Sequence, residues 1–189
     1  TPYLTEGNNT LSVKVLRWCD GSYMEGQDMW WMSGIFRSVR LLNKPVRHIK
    51  DVKVTPDLDA AYRDGELKIN VDTMNGDGLS VKTSLYDGEK EIASNVTEVG
   101  TAPVDEKGGY SERCFATLKT NNPKKWSSEA PNLYRLVVSL VTSEDDVIEC
   151  EAYDVGFRKI EVIGGQLCIN GQALMIRGVN KHEHDPTTG

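Results

Sequence analysis

Six consecutive residues near the end of the chain, Asn180-Lys181-His182-Glu183-His184-Asp185, hold its densest chemistry. Clustered imidazoles and carboxylates can bind a polar ligand or move a proton. They close a mostly apolar stretch from Leu174 to Val179, interrupted by Arg177-Gly178. An apolar strand that finishes in ionisable groups is the pattern of a barrel strand reaching a catalytic face. A metal reading competes, because His182 and His184 at i and i+2 share one strand face. Neither an HExxH helix nor a third ligand accompanies them. Only three residues follow Pro186, so the chain is expected to be a piece of a larger enzyme, ending before its chemistry.

A second stretch, Cys19 to Gly34, combines three glycines, the pair Trp30-Trp31 and the acids Asp20, Glu25 and Asp28. A loop this rich in tryptophan must bury its rings or present them to a ligand. One reading is a packed loop at the end of a sandwich. The other is a sugar-facing loop, with flat rings for apolar sugar faces and carboxylates for hydroxyls.

The elements that position these stretches read as β structure. Asn170-Gly171 between two apolar runs predicts a hairpin, because both central residues of a type I′ turn need positive φ. Leu11, Val13 and Val15 alternate with polar residues and predict a half-buried strand over 10–17. Ile35 to Leu42 predicts another, ended by Asn43-Lys44-Pro45. From Ile49 to Phe157 seven short strands are expected, separated by turn signals. Their expected inward set is Val52, Leu67, Ile69, Val81, Leu85, Leu118, Leu136, Val138 and Leu140. Ile92-Ala93 is a short segment, and Ile148, Cys150 and Ala152 share one face. This is the pattern of an immunoglobulin-like sandwich, without the Cys…Trp…Cys spacing of antibody domains. The fold class expected is all-β: one such sandwich flanked by incomplete segments. Val104 to Tyr110 is long and polar for a strand connection, which suits a solvated loop or a partner contact.

Composition excludes several classes. The net charge is -6 and no basic cluster exceeds Lys124-Lys125, so nucleic acid is not an expected partner. No apolar run approaches the roughly 18 residues of a membrane span, and a membrane is not an expected partner. Thr1-Pro2-Tyr3-Leu4 reads as the interior of a longer protein rather than a signal peptide. The cytoplasm is the favoured compartment, with the periplasm and secretion left open. Cys19, Cys114, Cys150 and Cys168 lack metal-site spacing and are expected to be reduced and structural. The sequons at Asn8 and Asn95 are expected to be chance matches.

Several blocks resemble a known family. They are Arg17-Trp18, Asp20-Gly21-Ser22-Tyr23, Gln27-Asp28-Met29-Trp30, Met32-Ser33-Gly34-Ile35-Phe36-Arg37, Asn122-Pro123-Lys124 with Trp126-Ser127, Pro131-Asn132-Leu133-Tyr134-Arg135, Asp154-Val155-Gly156-Phe157-Arg158 and Arg177-Gly178-Val179-Asn180-Lys181-His182-Glu183-His184. Collinear along the whole chain, they resemble the large bacterial β-galactosidases of glycoside hydrolase family 2. The resemblance implies a retaining enzyme that hydrolyses terminal β-D-galactosides. It implies that 1–46 is the C-terminal part of a jelly-roll sugar-binding domain and 47–158 an immunoglobulin-like sandwich. By the same resemblance, 159–189 is a lead-in hairpin and the first strand of a TIM barrel.

The resemblance implies that Asp28 reaches the galactose and a sodium ion. It implies that His182 hydrogen-bonds galactose hydroxyls and helps to stabilise the transition state. Magnesium and sodium are implied for the intact enzyme, with no cofactor in the fragment. A homo-oligomer is implied too, the loop around Gly108-Gly109-Tyr110 resembling one that crosses a subunit interface. Trp31 and Asp185 depart from the best-known members, which carry arginine and histidine there, and bear on fine selectivity. No catalytic residue is expected in the fragment. Glu183 is a lone carboxylate, whereas retaining glycosidases use two carboxyls about 5–5.5 Å apart, and both are implied to lie beyond Gly189. The alternative is a free-standing β-sandwich module that binds carbohydrate or protein.

Overall fold

In the computed structural model the described residues are 3–24, 26, 33–35, 37–103 and 110–180. The chain divides into two compact units, one of residues 1–42 with 177–189, the other of residues 43–176.

The second unit is the expected sandwich. Among the described residues its strands are β1 (His48–Leu58), β2 (Gly65–Met74), β3 (Ser80–Asp87), β4 (Lys90–Glu98), β5 (Gly100–Pro103), β6 (Tyr110–Thr120), β7 (Tyr134–Val141) and β8 (Val147–Val155). One antiparallel sheet has the order β1-β2-β6-β5 and the other β4-β3-β7-β8. Leu67, Ile69, Val71, Val81, Leu85, Leu136, Val138 and Leu140 are fully buried between them, and Leu118 nearly so. Each such side chain contributes about 1.5–3 kcal/mol by leaving water. Val52 sits on the expected face but is half-buried, because β1 is an edge strand.

Three sequence expectations need correction. The segment Ile92-Ala93 is part of a nine-residue strand. An eighth strand, β5, pairs with β6 and was not expected. Gly100-Thr101-Ala102-Pro103 has no apolar alternation, and its proline is tolerated because the strand is an edge. Ile148, Cys150 and Ala152 do not share one face: Cys150 and Ala152 are exposed, while Ile148 is half-buried against the core. Glu149, Glu151, Tyr153 and Val155 stand opposite Leu140, Val138, Leu136 and Tyr134, so they share the core side. Cys150 is exposed. The cause is a bulge: Val147 pairs with Val141 and Glu149 with Leu140, leaving Ile148 as the extra residue.

Charged residues on the inner side of an edge strand need partners. Lys44 supplies one. Its Nζ donates to Glu151 Oε1 at 2.7 Å and to the Ile49 carbonyl at 2.7 Å, and lies 3.2 Å from Glu149. The Ile49 amide donates to Glu149 Oε2 at 2.7 Å, and the Tyr153 hydroxyl donates to Glu151. Edges β1 and β8, from opposite sheets, are thereby stapled along one side.

Of the four cysteines, Cys114 and Cys168 are buried and none forms a disulfide. Burial pushes the Cys114 thiol up to about 11, which keeps it protonated and unreactive.

After β8 come β9 (Ile160–Ile163), β10 (Gln166–Ile169) and β11 (Gln172–Ala173), a small antiparallel sheet of order β11-β10-β9. The predicted turn is present, with Asn170 at φ 51° and Gly171 at φ 75°. Among the described residues that follow β11, the expected first barrel strand is not formed. Leu174 gives one further hydrogen bond to Leu167, and then the chain runs irregular and exposed to Asn180.

In the first unit the described residues form one short 3₁₀ turn, Asp20–Tyr23, and no strand. The strands expected over 10–17 and 35–42 are absent there. Leu11 is 80% exposed and Leu41 94%. Alternation alone does not make a strand, because its backbone groups need a neighbouring strand to bond. No described segment pairs with either run.

Candidate functional site

Asp28 and His182 lie outside the described residues, as do Trp31, Glu183, His184, Asp185 and the loop 104–109. The structure therefore neither brings Asp28 and His182 together nor separates them. What it does place is one end of the sandwich and the hairpin β9–β11 beside it.

Three of the sequence blocks, far apart in the chain, converge at one end of the sandwich. Phe157 is fully buried and meets Tyr134 edge-on, with ring centroids 5.5 Å apart. Gly65 makes room for it: a Cβ there would stand 2.8 Å from the Phe157 ring and 2.9 Å from Pro123. The Tyr134 hydroxyl accepts the Lys124 amide at 2.7 Å. Trp126 lies on Gly156, where a Cβ would approach the tryptophan to 2.9 Å. Its amide donates to the Phe157 carbonyl at 2.9 Å. Arg158 stacks on the Trp126 ring with its guanidinium carbon 4.3 Å from the centroid. Asn132 Nδ2 donates to the Lys125 carbonyl at 2.9 Å. These blocks thus build a rigid seat rather than a reactive centre.

The hairpin β9–β11 is bolted to that seat. Asn170 bonds Lys159 twice: its amide donates to the Lys159 carbonyl and its Oδ1 accepts the Lys159 amide, both at 2.9 Å. Asn170 Nδ2 also donates to the Trp126 carbonyl at 3.3 Å. Tyr62, in the β1–β2 loop, donates its hydroxyl to Glu161 Oε2 at 2.8 Å. Its ring lies over Gly171, where a Cβ would meet the ring at 2.6 Å. Lys159 Nζ donates to the Leu58 carbonyl at 3.2 Å. Sequence reasoning missed Tyr62 because its φ of 54° is rare for an aromatic residue and has no sequence signature. Asn170 was legible as a turn residue, but not as a hub.

Beside the seat, an open groove of about 400 Å³ runs between the β1 and β8 edges. Val52, Val54, Pro56, Trp126, Leu133 and Tyr153 give it an apolar floor, with Asp154 and Arg158 at its rim. On the outer face of the β1-β2-β6-β5 sheet, Arg113 Nη2 donates to Asp72 Oδ2 at 2.7 Å and Nε donates to Oδ1. The Arg113 guanidinium holds the Asp72 carboxyl below its ordinary value, outweighing the opposing effect of burial. Among the described residues no three His, Cys, Asp or Glu side chains gather as a metal site.

The fold is a β-sandwich with a small hairpin sheet held at one end, and comparison places it in a family of glycosyl hydrolases. The family model "Glycosyl hydrolases family 2" matches residues 47–158, its sugar-binding domain matches 1–45 and its TIM-barrel domain matches 160–189. The chain belongs to glycosyl hydrolase family 2. It is 56% identical over its whole length to a beta-galactosidase of Aeromonas hydrophila. It is 52% identical over 99% of its length to one of Photobacterium profundum. It spans 18% of the length of each of these relatives. Among solved structures, beta-glucuronidase 3 of Bacteroides uniformis superposes with a TM-score of 0.66 at 23% identity, covering 83% of this chain and 18% of that one. A b-glucuronidase of Ruminococcus gnavus superposes over 77% of this chain and 22% of that one, with a TM-score of 0.60 at 21% identity. These two likenesses concern the fold.

Proposed function

We propose that this chain is part of a retaining β-galactosidase that hydrolyses terminal β-D-galactosides. The observation that carries the reading is the collinear 56% identity to a beta-galactosidase over all 189 residues. In this reading 1–46 is the end of a jelly-roll sugar-binding domain, 47–158 the immunoglobulin-like sandwich, and 159–189 the lead-in to the catalytic barrel. Asp28 binds the galactose and faces a sodium ion. His182 hydrogen-bonds galactose hydroxyls. The nucleophile and the acid, which a retaining enzyme holds about 5–5.5 Å apart, come from residues beyond 189. Magnesium and sodium serve the intact enzyme, and no step is assigned to either ion from the described residues. The enzyme works as a homo-oligomer in the cytoplasm.

The test uses the full-length protein that contains this chain, with chromogenic β-galactoside and β-glucuronide side by side. Galactoside hydrolysis is expected, with Asp28→Ala and His182→Ala each weakening galactose binding and slowing turnover. Hydrolysis of the glucuronide alone would overturn the reading.

A further inference from the structure

We infer that the outward face of the hairpin sheet β9–β11 is an interdomain interface, and that its occupant is the catalytic barrel that follows in the same polypeptide. The inference rests on the reading of 159–189 as the lead-in to that barrel and adds the surface on which the barrel is carried.

Strand pairing sorts the side chains of this sheet onto two faces, because residues directly opposite in an antiparallel ladder point the same way. Glu161 stands opposite Cys168, and Cys168 opposite Ala173. That face is laid on the sandwich: Glu161 takes the Tyr62 hydroxyl and Cys168 is buried. Ile160 stands opposite Ile169, and Val162 opposite Leu167. The Leu174 amide donates to the Leu167 carbonyl, which extends the ladder one step and brings Leu174 beside Leu167. The second face therefore carries Ile160, Val162, Leu167, Ile169 and Leu174 across all three strands, with Gln172 opposite Ile169. It is open: Val162 is 72% exposed, Ile160 54%, Leu167 38% and Leu174 37%. A sheet is stable when its apolar face is covered. Here the face with the glutamate meets the sandwich and the apolar one meets water. Single exposed apolar side chains are ordinary, but a contiguous set on neighbouring strands marks an interaction surface.

The occupant follows from continuity. The TIM-barrel family model matches from residue 160, the first residue of β9, so the hairpin and the chain after it belong to one matched domain. The apolar surface continues past β11 into Met175 and Ile176, both exposed. This chain spans 18% of the length of its relatives, so in them most of the polypeptide lies outside it and is at hand to cover the face. A domain tethered through β11 is held at high effective concentration beside this face. A second copy would have to arrive from solution.

The test uses the full-length protein that contains this chain. Val162→Cys is treated with a maleimide beside a control, Val96→Cys, on strand β4 of the sandwich, where the valine is 60% exposed. Labelling is read peptide by peptide by mass spectrometry. A covered thiol reacts only through openings, so labelling at 162 is expected to be roughly tenfold or more slower than at 96, and unfolding in guanidinium should remove the difference. Equal labelling of the two positions in the native protein would overturn the inference. Photo-leucine in place of leucine then identifies the occupant without a designed substitution. Leu167 and Leu174 are expected to cross-link to peptides beyond residue 189 of the same protomer. In oligomers mixed from isotopically light and heavy protomers, cross-links from these leucines between protomers would mean that a second copy covers the face. That result, or no cross-link beyond residue 189, overturns the inference. If the full-length protein hydrolyses no galactoside, the substrate reading fails, and labelling and cross-linking still decide this one.

Discussion

Lys44 Nζ sits 2.7 Å from Glu151 Oε1, joining a residue ahead of the first strand to the inner side of the last strand of the opposite sheet. Burial opposes both charges, but the mutual hydrogen bonds outweigh it. They hold Glu151 below its ordinary 4.5 and Lys44 above its ordinary 10.5. Lys44→Met should therefore destabilise the sandwich by about 2 kcal/mol, leaving two half-buried carboxylates without their cation. The pH dependence has two edges. The Glu151 contribution is complete above its ordinary value and is lost as pH falls through the depressed one. The Lys44 contribution is complete below its ordinary value and is lost as pH rises through the raised one. Thermal melts of wild type and Lys44→Met against pH should differ most between those limits and converge at both ends. A constant difference at all pH values would refute the staple.

Val138 is fully buried and Val137, its neighbour, points to the other face of the same strand. Val138→Asp should unfold the sandwich, since a carboxylate there has no partner. Val137→Asp should cost far less. Thermal denaturation of the two variants separates the faces, and the opposite order would mean the register is shifted by one residue.

Deleting Asp105 to Gly109 from the full-length enzyme should lower activity and oligomer mass together. The motivation is the polarity of that connection and its resemblance to an interface loop. Mass measured by light scattering and turnover on a galactoside provide the check. A fully active oligomer of unchanged mass would remove the loop from the interface.

The 189-residue chain by itself should hydrolyse no galactoside. It carries Asp28 and His182, but hydrogen bonds of this kind assist only where an acid and a nucleophile flank the glycosidic bond. Incubating purified chain with a chromogenic β-galactoside tests this. Turnover above a buffer blank that survives repurification would contradict it.

Much of the sandwich was legible because period-2 alternation coincides with burial at Leu67, Ile69, Val81, Leu136, Val138 and Leu140. Asn170-Gly171 was legible because its turn demands a backbone that few dipeptides accept. Strand β8 was misread because a bulge at Ile148 shifts the alternation, and because a lysine from outside the strand makes carboxylates acceptable on its inner side. The runs at 10–17 and 35–42 carry a strand pattern, but no described segment pairs with either, which composition cannot reveal. Phe157 and Trp126 were recognisable as parts of conspicuous blocks, but their roles depend on Gly65 and Gly156, whose missing side chains admit them. Asp28 and His182 remain functional assignments that rest on resemblance.

The hairpin seat also has an order in time. Its two turns, Gly164-Gly165 and Asn170-Gly171, each join strands only two residues apart in sequence. Such hairpins close in roughly 1–10 μs, whereas the sandwich beneath must bring Ile49 of β1 to Glu149 of β8, 100 residues apart. Chains are made from the N-terminus at about 5–20 residues per second. Tyr62, Trp126, Arg158 and Asn170 have all been polymerised before residue 182 is added. The hairpin's own turns need no partner, whereas its docking on Tyr62 and Trp126 needs the sandwich already formed, so a slow step in forming the sandwich delays the docking but not the turns.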